Sequence, residues 1–125
     1  MNSLTKKFEQ AAQKDEQVIA VLLFGSYARG EPNRDIDVCI VLDRKYSPLQ
    51  MSKKRLKFSS VLPGKFDVQI FQQLPIYIRK RILKDGKIMS CKDEDALYEI
   101  AYQTIKEFSL FEKSYNFYLE QIKNG

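Results

Sequence analysis

The chain has no histidine, and that absence removes more chemistry than any single residue present suggests. Ser-His and Cys-His nucleophilic mechanisms are excluded, as is every metal site that relies on imidazole. Cysteine is nearly missing too. Cys39 and Cys91 stand far apart in sequence, and neither belongs to a closely spaced pair of the kind that binds zinc or exchanges disulfides; they read as small apolar residues. Long hydrophobic runs are also lacking. The longest, Val18 to Phe24, is too short to cross a bilayer, and Met1 to Glu16 carries Lys6, Lys7 and Lys14 without the continuous apolar stretch of a signal peptide. A cytoplasmic protein with no membrane association is expected. Its chemistry must run on carboxylates, amines, hydroxyls and bound ions.

What is present is ordinary for one globular domain: 125 residues, 44% hydrophobic and 30% charged, enough to bury roughly two-thirds of the surface of the unfolded chain. The expected organisation is a single unit over 1–125, with a core over about 1–92 and a C-terminal helix over about 93–123. Twenty-one basic against 16 acidic residues leave a net charge of +5. That excess suits an anionic ligand or nucleic acid, and a lysine-rich solvated surface accounts for it equally well.

Periodicity divides the chain into short elements. Ser3 to Gln17 places Leu4, Phe8 and Ala11 or Ala12 at helical spacing, with Ser3 as a candidate N-cap. Val18 to Phe24, apolar and rich in β-branched residues, predicts a strand buried on both faces and ending at Gly25. The glycines, proline and asparagine between Gly25 and Arg34 predict a turn. A second strand is expected over Asp35 to Leu42, a loop over Asp43 to Leu49, and a helix over Gln50 to Leu62, stopped by Pro63-Gly64. Phe66 to Phe71 alternates as a half-buried strand, with Asp67 on the face opposite Phe66, Val68 and Ile70. Pro75 then opens a basic helix through Lys84 that Gly86 terminates, and Lys87 to Cys91 is extended. From Asp93 the apolar positions Leu97, Ala101, Thr104, Phe108, Phe111, Tyr115, Tyr118 and Ile122 step by alternating fours and threes, one helical seam. Unbroken, it would measure roughly 45 Å. Either part of it projects or packs on another chain, or it wraps its own core or breaks near Ser109. The expected fold class is α/β (α+β): a small mixed β-sheet flanked by helices, with a long C-terminal helical segment.

Three features point to a phosphate-and-metal site. A glycine closing a buried strand, Gly25, lets backbone approach a bulky anion because no Cβ intervenes, and Ser26 adds a hydroxyl where a helical turn would aim N–H groups at phosphate oxygens. Asp35 and Asp37 alternate along a strand and so share one face, their Cα atoms roughly 6.6 Å apart. Such a pair can share one or two cations, for which Mg²⁺ is the natural hard ion; two solvated aspartates at a strand start would show the same spacing. Asp67 can complete a two-metal clamp or take the nucleophile's proton.

The stretch Leu23-Phe24-Gly25-Ser26-Tyr27-Ala28-Arg29-Gly30-Glu31, followed by Arg34-Asp35-Ile36-Asp37-Val38, resembles the signature of the DNA polymerase β-like nucleotidyltransferases, and most closely their minimal nucleotidyltransferase group. Leu74-Pro75 through Lys87-Ile88 is similar to the segment after the third strand in minimal members, so the likeness spans roughly residues 18 to 120. The resemblance implies the polymerase β-like nucleotidyltransferase fold. It also implies that Gly25 and Ser26 contact the nucleotide triphosphate, and that Asp35 and Asp37, completed by Asp67, bind Mg²⁺, two ions in all. Arg29, beside that loop, is a further candidate for contacting the nucleotide. Eight residues, 27–34, separate Ser26 from Asp35, fewer than in many members, so base selectivity carried by that loop is not implied.

Minimal members typically act as antitoxin to a HEPN-domain ribonuclease toxin, transferring AMP from ATP to a toxin tyrosine. The resemblance therefore implies a Mg²⁺-dependent protein adenylyltransferase with ATP as substrate and a HEPN-domain toxin as partner, and with homo- or hetero-oligomer contacts through the last helix. Two other readings stay open. One is a module that neutralises a partner by contact alone, its nucleotide site vestigial; the other is nucleotidyl transfer to RNA or a small molecule. Lys53-Lys54-Arg55 and Arg79-Lys80-Arg81 could track a phosphate backbone, yet they lack interleaved aromatics apart from Tyr77. Nucleic acid is therefore not the expected partner.

Overall fold

The apolar run after the first helix is the strand around which the sheet assembles. In this computed structural model, residues 6–25, 30 and 35–124 are described. In chain order the elements are α1 (Lys6–Lys14), β1 (Val18–Phe24), β2 (Ile36–Leu42), α2 (Pro48–Ser59), β3 (Phe66–Ile70), a 3₁₀ turn (Phe71–Gln73), α3 (Ile76–Asp85), β4 (Lys87–Cys91) and α4 (Glu94–Asn124). The sheet order is β3-β2-β1-β4. β1 pairs antiparallel with β2 and β4, and β2 pairs parallel with β3. The sheet is mixed, as expected.

Helices cover both faces. On one side Val21, Val38, Ile40, Leu42, Val68 and Ile70 pack with Phe8 and Ala12 of α1 and Met51 and Phe58 of α2. On the other, Leu22, Cys39, Val41 and Phe71 pack with Ile82 of α3 and Leu97 of α4. Period-two alternation sorts β2 and β3 between these clusters. The strand expected to run to Phe71 ends at Ile70 because Phe71 opens the 3₁₀ turn. Gln72 then bonds both backbone groups of Leu42, its Oε1 accepting from N–H at 3.1 Å and its Nε2 donating to the carbonyl at 2.8 Å.

Several boundaries differ from the sequence reading for local reasons. The first helix stops at Lys14, because Asp15 turns the chain by accepting the Gln17 N–H at 3.0 Å; Ser3 lies outside the described residues. The second strand begins at Ile36, one residue after Asp35. α2 starts at Pro48, inside the expected loop. Ser47 and Gln50 form a reciprocal capping box there, and Pro48 takes the first helical turn. Pro75 is the cap residue of α3, whose first helical residue is Ile76. Gly86 ends that helix with φ −70°, so no left-handed turn demands it. Close approach does: a Cβ would lie 2.5 Å from the Ile82 carbonyl oxygen and 3.2 Å from that of Leu23.

α4 runs 31 residues without a break at Ser109, and Asp93 caps it by accepting the Ala96 N–H at 3.0 Å. Its seam changes role half-way. Leu97 and Thr104 are buried, whereas every residue from 109 to 124 is exposed. The expectation of a projecting segment describes that second half, about 24 Å at about 1.5 Å per residue. No helix among the described residues is long and apolar enough to cross a membrane. Cys39 is fully buried and Cys91 half-buried, both free thiols; burial pushes the Cys39 thiol far above its ordinary range.

Asp15 ties one corner together. Its side chain is 6% exposed, with Lys54 Nζ at 2.7 Å and Lys57 Nζ at 3.1 Å from Oδ2. Its carbonyl accepts from Lys92 Nζ at 2.7 Å. Burial pushes the carboxyl pKa up, but the Lys54, Gln17 and Lys57 hydrogen bonds outweigh that and hold it below 3.8. A lowered folded pKa means that this stabilisation is complete above about pH 4 and disappears as pH falls through the lowered value. We expect Asp15→Ala to cost about 2–3 kcal/mol near neutrality and to flatten the acid limb of the stability curve, read as urea midpoints across pH 2–7.

Candidate active site

The sheet register places two of the expected acids side by side. Asp37 pairs with Phe24 of β1 on one side and with Asp67 of β3 on the other. Neighbouring strands lie about 4.8 Å apart, and residues in register project to the same face. Asp37 shares that face with Cys39 and Val41, and Asp67 shares it with Gln69, so both carboxylates stand on the α3 and α4 side, where β1 ends and β2 and β3 begin. Asp35 is exposed and sits just before Ile36, the first paired residue of β2. Ser26 and Arg29 lie outside the described residues.

Gly25 is required here twice over. Its φ is +76°, a conformation that costs other L-residues roughly 1–2 kcal/mol. A Cβ would moreover fall on Asp37 Oδ2 and lie 3.2 Å from Asp37 Cγ. The backbone after β1 is thus pressed against the Asp37 carboxylate with no side chain between them, the bare approach a phosphate group would use.

Asp67 is differently placed. Its side chain is 50% exposed, with Arg55 Nη2 at 3.8 Å from Oδ1. Gln69 Nε2 lies 3.4 Å from Oδ1 and 3.3 Å from Oδ2. Arg55 Nε also donates to the Val68 carbonyl at 2.8 Å, so this α2 side chain covers the open edge of β3 beside the acid. In the sequence Arg55 is one of the basic run Lys53-Lys54-Arg55, and nothing in its spacing connects it to Asp67. Gln69, two residues beyond Asp67 on a strand, was detectable from alternation alone.

Among the described residues, no three acidic or cysteine side chains stand close enough to hold a metal ion. The register joins Asp37 with Asp67 and leaves Asp35 outside the pair. Two hard carboxylates next to a glycine that admits phosphate still suit Mg²⁺, which binds through one or two carboxylates plus substrate oxygens.

Residues 6–95 match the family model described as polymerase beta, nucleotidyltransferase. The chain belongs to that family. A Methanocaldococcus jannaschii nucleotidyltransferase relative, named a "Putative protein adenylyltransferase", is 35% identical over 99 residues, 78% of this chain and 75% of that protein. A chain from a crystal structure of a toxin-antitoxin with AMP-PNP superposes with a TM-score of 0.72, covering 97% of this chain and 98% of its own at 17% identity. Another, from the tri-AMPylated Shewanella oneidensis HEPN toxin in complex with MNT antitoxin, gives 0.66 over 94% of this chain and 91% of its own at 15% identity. At those identities the likeness is one of fold. It reaches well beyond residue 95, so the long helix of this nucleotidyltransferase is part of the shared architecture.

Gly25→Ala is expected to cost about 1–2 kcal/mol from backbone strain alone, plus the displacement of Asp37. Combining it with Asp37→Ala removes the collision, so the double variant should be more stable than the sum of the single losses. Chemical denaturation of all three checks the coupling.

Proposed function

We propose that this chain is a Mg²⁺-dependent protein adenylyltransferase that transfers AMP from ATP to a tyrosine hydroxyl of a partner HEPN-type toxin, and so serves as the antitoxin of that pair in the cytoplasm. The observation that carries the reading is the in-register pairing of Asp37 with Asp67 against the bare backbone of Gly25, in a chain of the nucleotidyltransferase family. The name of the Methanocaldococcus relative and the AMPylated toxin complex support the choice of a protein acceptor.

In this reading Asp37 and Asp67 would hold Mg²⁺, with Asp35 just before β2 contributing from outside the pair, two ions in all, and the bound metal would supply charge neutralisation for the triphosphate. Gly25 admits the phosphates, and Ser26 and Arg29 donate to their oxygens. The acceptor oxygen attacks the α-phosphorus in line, a P–O bond to it forms, the α–β bridge breaks and pyrophosphate leaves. Asp67, half exposed at the edge strand, takes the hydroxyl proton. Asp37, held between two strands, keeps its carboxylate fixed while this happens.

The whole chain, 1–125, acts as one unit whose last helix recruits the acceptor. Beyond residue 108, α4 exposes Leu110, Phe111, Tyr115, Phe117, Tyr118, Leu119 and Ile122. So broad an exposed apolar face on one side of a helix belongs against a partner, and the toxin is the occupant proposed.

With α-labelled ATP, Mg²⁺ and the partner, Asp37→Ala and Asp67→Ala should each lower labelling at least about 100-fold, with intact mass counting the AMP groups added. Full labelling by both variants would end the enzymatic reading, and full neutralisation of the unlabelled partner by both variants would favour the contact-only module. Separately, Phe111→Glu with Tyr115→Glu should weaken partner binding at least about tenfold by calorimetry. The thermal midpoint should stay where it was, because both sites are solvated.

A further inference from the structure

Arg55 brings a positive charge to the acidic pair from the opposite face of the sheet. It follows Met51 by one helical step of four and precedes Phe58 by a step of three, on the stripe of α2 that packs against β2 and β3, so the core fixes its backbone. Its side chain then rounds β3, the edge strand beside β2. Nε donates to the Val68 carbonyl at 2.8 Å, while Nη2 stops 3.8 Å from Asp67 Oδ1. The first contact is a hydrogen bond; the second is too long to be one. The guanidinium is therefore tethered to backbone and not to the carboxylate. A ligand that takes the Asp67 oxygens leaves that tether intact and must share the place with a fixed positive charge.

We infer that Arg55 sets the order in which the site fills, opposing a metal ion that arrives alone and favouring the triphosphate. The inference rests on the transferase reading above and adds to it the role of a residue outside the acidic cluster. Asp35, Asp37 and Asp67 bring three negative charges and Arg55 one positive. A single Mg²⁺ cancels what remains, so nothing is left to draw a second ion until phosphate oxygens arrive. For the triphosphate the signs reverse: the acids repel it and the guanidinium attracts it. Phe24, Asp37 and Asp67 lie in register across three strands, which puts Arg55 roughly 10–15 Å from the phosphate approach at Gly25. Mg²⁺ commonly binds through one or two carboxylates plus substrate phosphates, and this charge balance brings ion and nucleotide in together. The Arg55 and Asp67 side chains are 45% and 50% exposed, so water screens the effect to a few-fold.

Calorimetry on the full chain without partner takes the two ligands separately: Mg²⁺ alone, and AMP-PNP with a chelator present. At about 0.05 M salt, where charges act over roughly 14 Å, Arg55→Gln should tighten Mg²⁺ about threefold and weaken AMP-PNP about twofold. The shifts are opposite in sign because one charge acts on ligands of opposite charge, whereas loss of local structure would weaken both. Each should shrink toward the wild type at about 0.5 M salt. Arg55→Lys, which keeps the charge, should bring both affinities back toward the wild type. Shifts of the same sign in Arg55→Gln, or none at low salt, would overturn the assignment. So would Arg55→Lys matching Arg55→Gln, since loss of the Val68 bond would then explain both. Those outcomes leave the transferase reading standing. Failure of the wild type to bind AMP-PNP even with Mg²⁺ would bring down both.

Discussion

Everything at the acidic end of the sheet depends on the register of β2 between its two neighbours. Side chains alternate with period two, so a slip of one residue would turn Val38, Ile40 and Leu42 toward the face now holding Asp37, Cys39 and Val41. Val38 through Leu42 are all essentially buried, and each such side chain stabilises the fold by about 1.5–3 kcal/mol. Opposing this, two carboxylates at neighbouring strand positions repel by roughly 1–3 kcal/mol at the effective dielectric of a partly exposed site. The core wins by a wide margin. The acids are held together by apolar burial elsewhere on the same strands, and Arg55 and Gln69 relieve part of the remaining repulsion at Asp67.

How much of this was visible in the sequence follows from what periodicity can encode. The bounds of β1 and β4 were readable residue by residue, because a continuous apolar run and a short stretch between a terminating glycine and a capping aspartate have few other solutions. The shared face of Asp35 and Asp37 was a strand argument, and it weakens at Asp35 because the ladder starts one residue later. Pairing was not readable. Alternation says which face Asp67 occupies, not which residue of β2 stands opposite, and Arg55 reaches Asp67 only through that pairing. The start of α2 was missed although Ser47 and Gln50 carry the capping pattern, since three charged residues and a proline nearby read as loop. Gly86 was expected for the right place and a different reason: its neighbours leave no room for a Cβ, while its φ is one any residue adopts.

The long helix shows a limit of another kind. A four-three seam looks the same whether its partner is the chain's own sheet or another molecule, so the extent of the seam was legible, while its continuity through Ser109 and the point at which it leaves the core were not. That change coincides with the last contacts to α3, where Arg79 pairs with Glu107 at 2.6 Å and Lys80 lies over the Phe108 ring. Past them the helix carries Glu112, Lys113, Glu120 and Lys123, two charges of each sign, so no net field directs what binds there. A partner bound along this stretch would be recognised by shape and apolar area, with the stacked pair Phe111 and Tyr115 as the most rigid element.

The unequal exposure of the two paired acids has a consequence for how such a small chain can process a large acceptor. Asp37 is fixed by strands on both sides and by the glycine pressed against it, so nothing at the surface can alter its position without disturbing the core. Asp67 lies on an edge strand, is half exposed, and takes its neighbours from α2 and from its own strand. In the proposed reaction the nucleotide needs the rigid acid and the incoming hydroxyl needs the accessible one. In that reaction the half of the Asp67 side chain left exposed beside Arg55 would admit the acceptor, and the projecting half of α4 would supply binding energy far from the reacting atoms, where it can orient the acceptor without crowding the phosphates.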